Sequence, residues 1–179
     1  MSPDYQIITT EFTLRLIDAE ESRQLERLIV RSPKLHHWVD WCHSEFSAKD
    51  AERFLLATRL NWVKSDAYGF GIFRRSDDVL IGMVAINEFY QTFNMASLGY
   101  WIADEFQQQG YGRKALDALI EFCFGILKLT RLEVVCDPNN LASQKLALAC
   151  GAKFETYAEN RFIFNGKPKC GAVYSVIPS

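Results

Sequence analysis

The string Gln107-Gln108-Gln109-Gly110-Tyr111-Gly112 stands directly before a segment of helical periodicity, and no other part of the chain is better suited to chemistry. The first N–H groups of a helix have no intrahelical acceptor and sit at the positive end of its dipole. A glycine-bearing loop that gathers such groups can hold a pyrophosphate with no lysine and no metal. Glycine also permits positive φ and close backbone approach, so a β-branched residue at Gly112 is expected to collide with a bound phosphate. Behind the loop, Leu116, Leu119, Ile120, Cys123 and Leu127 recur at helical spacing and give the helix one inward face.

Two ligand classes use loops of this kind. Gly110-Tyr111-Gly112-Arg113-Lys114-Ala115 also fits the dinucleotide pattern G-x-G-x-x-G/A, with Glu133 or Asp137 near the later acidic position. Position argues against that reading. A dinucleotide loop turns tightly off its strand, whereas Asp104-Glu105-Phe106-Gln107 separates the apolar run Leu98 to Ile102 from Gly110. A dinucleotide domain also needs further βαβ units of roughly 30 residues each. After Asp137 the chain has room for a helix and a terminal hairpin.

Gln-x-x-Gly-x-Gly resembles the acyl-CoA pyrophosphate loop of the GNAT N-acetyltransferases, whose pattern is Arg/Gln-x-x-Gly-x-Gly/Ala. Leu98-Gly99-Tyr100-Trp101-Ile102 is similar to the family strand that pairs with the pantetheine arm. Asn140-Leu141-Ala142-Ser143, with Leu146, Ala147 and Gly151-Ala152-Lys153-Phe154, resembles the Asn-x-x-Ser helix and its following strand. Within the family the chain most resembles the RimJ/RimL ribosomal-protein N-terminal acetyltransferases. The resemblance covers nearly the whole chain and is strongest from Leu80 to Phe154. It implies one α/β domain over residues 1–179, with a mixed, mostly antiparallel sheet, flanking helices and a splayed strand pair that receives acetyl-CoA. It implies that Gln107, Gln108, Gln109, Gly110, Tyr111, Gly112 and Arg113 hold the pyrophosphate. Trp101, Ile102 and Ala103 would line the pantetheine arm through their backbone, Asn140 would bond to it, and Ser143 would stand by the sulfur.

Composition fits such a domain. Hydrophobic residues make up 49% and aromatics 13% of 179 residues, enough for a sizeable core and against disorder. A net charge of −2 gives no electrostatic footprint for nucleic acid, so a ribosomal substrate would be reached through a protein tail. No run of 18 apolar residues exists, and Met1-Ser2-Pro3-Asp4 does not open a signal sequence, so neither membrane nor export is expected. Cys42, Cys123, Cys136, Cys150 and Cys170 lack metal spacing; an odd count suits reduced core thiols in a cytoplasm. No metal is called for, and a homodimer is compatible with this reading.

The elements that must position these residues follow from pattern. Phe12 to Ile17 alternates as a strand. Asp18 caps a helix carrying Leu25, Leu28 and Ile29, which Pro33 stops. Ser47 and Asp50 make a capping box for a helix to about Asn61. Tyr68 to Arg74 and Val79 to Asn87 read as strands about a turn at Ser76-Asp77-Asp78, with Ala96 to Ala103 next. Arg131 to Cys136 reads as a strand and Ser143 to Cys150 as a helix ended by Gly151. Lys153 to Ala158, Arg161 to Phe164 and Gly171 to Ile177 read as strands, the last two joined by Asn165-Gly166. His36, His37 and His43 beside Trp38 and Trp41 read as a partly buried rim.

Acyl transfer needs a neutral amine, a stabilised oxyanion and a leaving thiolate. Backbone N–H groups from Tyr100 to Ala103 serve the oxyanion if that strand splays. Ser143 helps protonate the thiolate. Many family members carry a glutamate where this chain has Ser97, and the RimL type carries one where it has Phe162. Glu88 is the nearest remaining base, with Glu159 off register. A weak base suits an α-amine, about a tenth of which is neutral at pH 7, better than lysine, neutral at about 0.1% or less. The leading expectation is an acetyl-CoA-dependent N-acetyltransferase for a primary amine, foremost a protein N-terminus. A polyamine, antibiotic or amino-acid acetyltransferase is the alternative within enzymes. An acyl-CoA-binding sensor without turnover is the alternative outside them.

Overall fold

The computed structural model describes residues 1–178. Eight strands, β1 (Ile7–Ile8), β2 (Phe12–Arg15), β3 (Tyr68–Arg74), β4 (Val79–Tyr90), β5 (Met95–Ile102), β6 (Arg131–Cys136), β7 (Lys153–Phe164) and β8 (Lys167–Val176), form one sheet. Their order is β1-β2-β3-β4-β5-β6-β8-β7. Helices α1 (Ser22–Val30), α2 (Pro33–Trp38), α3 (Ala48–Lys64), α4 (Tyr111–Gly125) and α5 (Leu141–Ala149) connect them. Every neighbouring pair is antiparallel except β5–β6, which is parallel. Parallel neighbours require a long crossover, and α4 is that crossover. The topology therefore sets the Gln107–Gly112 loop at the end of β5, beside the one parallel seam.

That seam is short. Met95 pairs with Arg131 and Leu98 with Val134, and there the ladder ends, so the strands part from Gly99 and Val135 onward. The expected splayed pair is thus present, in a mixed and mostly antiparallel α/β sheet.

Alternation in β6 sends Leu132, Val134 and Cys136 to one face, where they join Leu98, Leu116, Leu119, Ile120 and Tyr174 in a core under α4. A second core on the other face gathers Leu25, Leu28 and Ile29 of α1, Leu55 of α3, and Met83 and Trp101 of β4 and β5. Each fully buried side chain of this size contributes about 1.5–3 kcal/mol against an exposed reference.

Local signals explain the boundaries. Ser47 and Asp50 form the expected reciprocal cap on α3, which runs on to Lys64. Pro33 does not merely stop α1. It occupies the first turn of α2, where a missing N–H costs nothing, and so opens a helix that the pattern did not signal. The helix expected from Ser143 starts two residues earlier, because Asn140 caps it. The segments about Asn160 are one strand, β7, with an irregularity between Ala158 and Phe162 and Asn160 at φ 51°.

Candidate active site

Two left-handed residues, Gln108 at φ 60° and Gly110 at φ 81°, bend the chain into α4. Among the described residues, no N–H from Gln108 through Arg113 donates to a backbone carbonyl; the first to do so is Lys114, to Gly110 at 3.2 Å. Adjacent free N–H groups at a helix N-terminus are the kind of donor set that suits an anion. Side chains brace it from behind. Gln107 donates through Nε2 to the Ile102 carbonyl at 2.9 Å, and Gln109 to the Glu105 carbonyl at 3.1 Å. The backbone N–H of Gln107 goes to Asp104, so Gln107 supports the loop and does not offer its N–H to a phosphate. Tyr111 turns its hydroxyl towards Arg74, and Arg113 lies exposed near Asp117.

The two glycines differ. Nothing lies within 4 Å of a Cβ added at Gly110, whose need for glycine is its left-handed backbone. A Cβ at Gly112 would meet Leu146 at 3.2 Å and Ile102 at 3.3 Å. Gly112 is therefore small where α4 packs against β5 and α5, a second reason for a glycine beside its place in the motif.

The free edge of β5 supplies the next donors. The Ala103 N–H bonds to the Ile81 carbonyl at 3.0 Å, which withdraws Ala103 from the expected donor set. Antiparallel alternation then commits the Trp101 N–H to β4 as well and turns those of Tyr100 and Ile102 towards the vacated β6 side. The Trp101 ring faces the other way, edge-on to Trp41 at 6.0 Å.

At the far end of the notch, Tyr100 and Ser143 meet. The Tyr100 hydroxyl lies 2.8 Å from the Ser143 carbonyl and 3.0 Å from Ser143 Oγ. Burial pushes the Tyr100 phenol well above its usual range, opposed by the Ser143 hydrogen bond. Burial likewise raises the Cys136 thiol, again opposed by Ser143. This Tyr100–Ser143–Cys136 group was not foreseen as a unit; the alternation of β5, which puts Tyr100 on the α5 side, was the available signal. Asn140 accepts the Ser143 N–H at 3.1 Å through Oδ1 and so caps α5. Among the described residues its Nδ2 donates to no protein acceptor. Asn140→Ala is expected to cost about 1 kcal/mol in urea unfolding through the lost cap, besides any effect on binding.

Glu88, the expected base, does not join this group. It pairs in register with Ser97, whose side chain lies on the opposite face from Tyr100. The same row continues to Glu133 of β6 and Ser175 of β8. Glu88 is exposed and accepts from the Tyr90 hydroxyl at 2.5 Å. Glu133 takes Arg131 at 2.7 Å and Arg161 at 3.2 Å. Glu155 accepts from Arg131 and, at 2.6 Å, from Ser175. Phe162 and Glu159 contribute no carboxylate to the row. Trp101, Trp41, Phe46 and Phe54 form an aromatic wall on the same side. Asp104 clasps α2 there, accepting from the Lys34 N–H at 2.9 Å while its own N–H donates to Ser32 Oγ at 3.1 Å.

Hydrogen bonds from Arg131 and then Ser175 hold the Glu155 carboxyl down to about 2. A carboxylate depressed on folding stabilises above its unfolded value and loses that contribution as pH falls through the folded one. The difference in urea midpoint between wild type and Glu155→Gln should therefore be constant above about pH 5 and close between about pH 4.5 and 2. A difference that persists to pH 2 contradicts the Arg131 pairing.

Comparison with known proteins agrees with this geometry. The chain is 26% identical to the Escherichia coli ribosomal-protein-serine acetyltransferase over 145 residues, 80% of each chain. It is 61% identical to a Vibrio cholerae protein of known structure, provisionally described as a ribosomal-protein-serine acetyltransferase, with 99% and 100% of the chains covered and a TM-score of 0.94. RimL, the ribosomal L7/L12 α-N-protein acetyltransferase solved with coenzyme A, shares the fold at 22% identity and a TM-score of 0.86, over 97% and 98% of the chains. Residues 11–153 match the family described as Acetyltransferase (GNAT) domain. A donor-lined loop at the crossover helix, a parted parallel seam and a family match over most of the length agree, and the chain belongs to the GNAT acetyltransferases.

Proposed function

We propose that the protein transfers the acetyl group of acetyl-CoA to the α-amine of a protein N-terminus, with residues 1–179 serving this one reaction. The observation that carries the reading is the run of six unspent N–H groups from Gln108 to Arg113 beside an open notch. The pyrophosphate rests on that run without a metal. The pantetheine arm follows the free edge of β5, bonding to the N–H groups of Tyr100 and Ile102 and to Asn140 Nδ2. The thioester then lies in the notch, where a β5 N–H can take the developing oxyanion.

Ser143 receives the sulfur. A carbonyl only accepts, so the Tyr100 phenol proton goes to the Ser143 carbonyl and the Ser143 hydroxyl donates to Tyr100 at rest. Turned towards the departing thiolate, the Ser143 hydroxyl passes it a proton and takes one back from water, which in turn takes the proton the attacking amine gives up, while the Tyr100 phenol stays bonded to the Ser143 carbonyl.

The acceptor assignment draws on two considerations. The relatives are named for ribosomal-protein acetylation, and an α-amine is far easier to deprotonate than a lysine amine. Cytoplasmic residence suits the five free thiols. The test is CoA release with Ser- and Ala-initiated peptides, spermine and an aminoglycoside, with chelator present. Release with the peptides is expected. Release with the polyamine or the antibiotic alone overturns the acceptor, and binding without release with any amine makes the chain a sensor.

A further inference from the structure

The notch between β5 and β6 has two sides. Ser143, Tyr100 and the helices α4 and α5 occupy one, so an amine reaches a thioester lying there from the other. On that other side, Glu88, Ser97 and Glu133 stand in one row on three adjacent strands. Strands lie about 4.8 Å apart, so a carboxylate stands one strand to either side of Ser97.

The two carboxylates are not equivalent. Glu133 has a side chain only 13% exposed and spends its oxygens on Arg131 and Arg161. Glu88 is open and, among the described residues, receives only the Tyr90 hydroxyl. Arg161 stands near enough for its charge to act on that phenol: Glu88 raises the Tyr90 phenol, first through its hydrogen bond, while the Arg161 charge opposes it. The Tyr90 hydroxyl donates to Glu88 at 2.5 Å, and Arg161 donates to Glu133 at 3.2 Å, so Tyr90 and Glu133 flank the space between Glu88 and Arg161. A guanidinium has five N–H donors, and Glu133 does not exhaust them.

The backbone is shaped to deliver Arg161. The irregularity between Ala158 and Phe162, with left-handed Asn160, interrupts β7 just before it. Gly171 of β8 lies under its stem, where an added Cβ would come within 3.0 Å of Arg161 Cβ and Cγ and 2.7 Å of Val135. No larger residue at 171 leaves that path open.

We infer that Glu88 and Arg161 read the acceptor as a pair. Glu88 receives the amine, and the spare donors of Arg161 take the carbonyl oxygen that an α-amino acyl group carries beside its nitrogen. The Tyr90 phenol lies by both groups, which sets them on either side of a site for the nitrogen and the oxygen of a single residue. A plain alkylamine supplies the nitrogen alone, so Arg161 sets specificity for an N-terminal residue. This rests on the N-acetyltransferase reading above.

The experiment measures kcat and KM for a Ser-initiated hexapeptide and for ethylamine, at one pH, in wild type, Arg161→Met, Arg161→Lys and Glu88→Gln. Arg161→Met should raise the peptide KM at least tenfold with a smaller change in kcat, and leave ethylamine kcat/KM within twofold. Arg161→Lys keeps Glu133 paired and should recover part of the peptide KM. Glu88→Gln should lower kcat/KM for both acceptors. Melting temperature is read on each sample, so the lysine variant decides if the methionine variant unfolds. An unchanged peptide KM, equal losses for both acceptors, or a wild type that uses ethylamine as well as the peptide overturns the inference. A wild type that turns over neither overturns the acetyltransferase reading itself.

Discussion

Gly112→Val should lower the melting temperature of the free protein and weaken acetyl-CoA binding about tenfold or more. The added carbons would press on Leu146 and Ile102, at 3.2 and 3.3 Å from the Cβ alone. Overpacking of this kind costs about 1–3 kcal/mol, and each kcal/mol moves the melting temperature of a domain this size by roughly 2–4 °C. Relief comes by moving the first turn of α4, which carries half of the free N–H donors, so stability and affinity fall together. Gly110→Ala offers the contrast. No neighbour resists its Cβ, and its cost is the left-handed backbone, about 1–2 kcal/mol. Calorimetry with acetyl-CoA and melting without it, on both variants, separate the two causes. If Gly112→Val lost affinity with an unchanged melting temperature, a phosphate and not Leu146 would be what the glycine accommodates.

The sequence made the acetyl-CoA side legible because its parts are contiguous. Gln107 to Gly112 and Asn140 to Ser143 are short motifs, and helical or alternating pattern placed them at a helix entry and a cap. Pattern alone could not assign tasks within a motif. Gln107 braces, Gly112 packs, and the Ala103 N–H is spent on Ile81, each fixed by a partner far away in sequence. The opposite face was out of reach for the same reason. Glu88, Ser97, Glu133 and Arg161 become neighbours only once the register of β4, β5, β6 and β8 is known. Ser97 and Phe162 hold no carboxylate, whereas Glu88 and Glu133 stand one strand to either side of Ser97. The α2 helix was missed because Pro33 ends one helix and begins the next within a few residues.

Ser143→Ala should reduce turnover on the order of tenfold to a hundredfold while leaving acetyl-CoA affinity and melting temperature nearly unchanged. The structure makes this a clean test. The helix cap belongs to Asn140, and the Ser143 side chain takes no part in it. The Tyr100 phenol keeps the Ser143 carbonyl as its acceptor after the hydroxyl is gone. What disappears is one oxygen and one proton at the point where the proposed reaction has the thiolate leave. Tyr100→Phe removes the partner instead: the Ser143 hydroxyl loses its Tyr100 contact, while the Ser143 carbonyl keeps its place in the ladder of α5. That variant should lose less turnover than Ser143→Ala and more stability, about 0.5–1.5 kcal/mol for the lost hydrogen bond. Single-turnover acetyl transfer, calorimetry and melting of both variants and of their combination give the answer. If the two hydroxyls act as one relay, the double variant will turn over no more slowly than Ser143→Ala. If their losses multiply, Tyr100 contributes on its own, and the leaving thiolate is served by two groups rather than one.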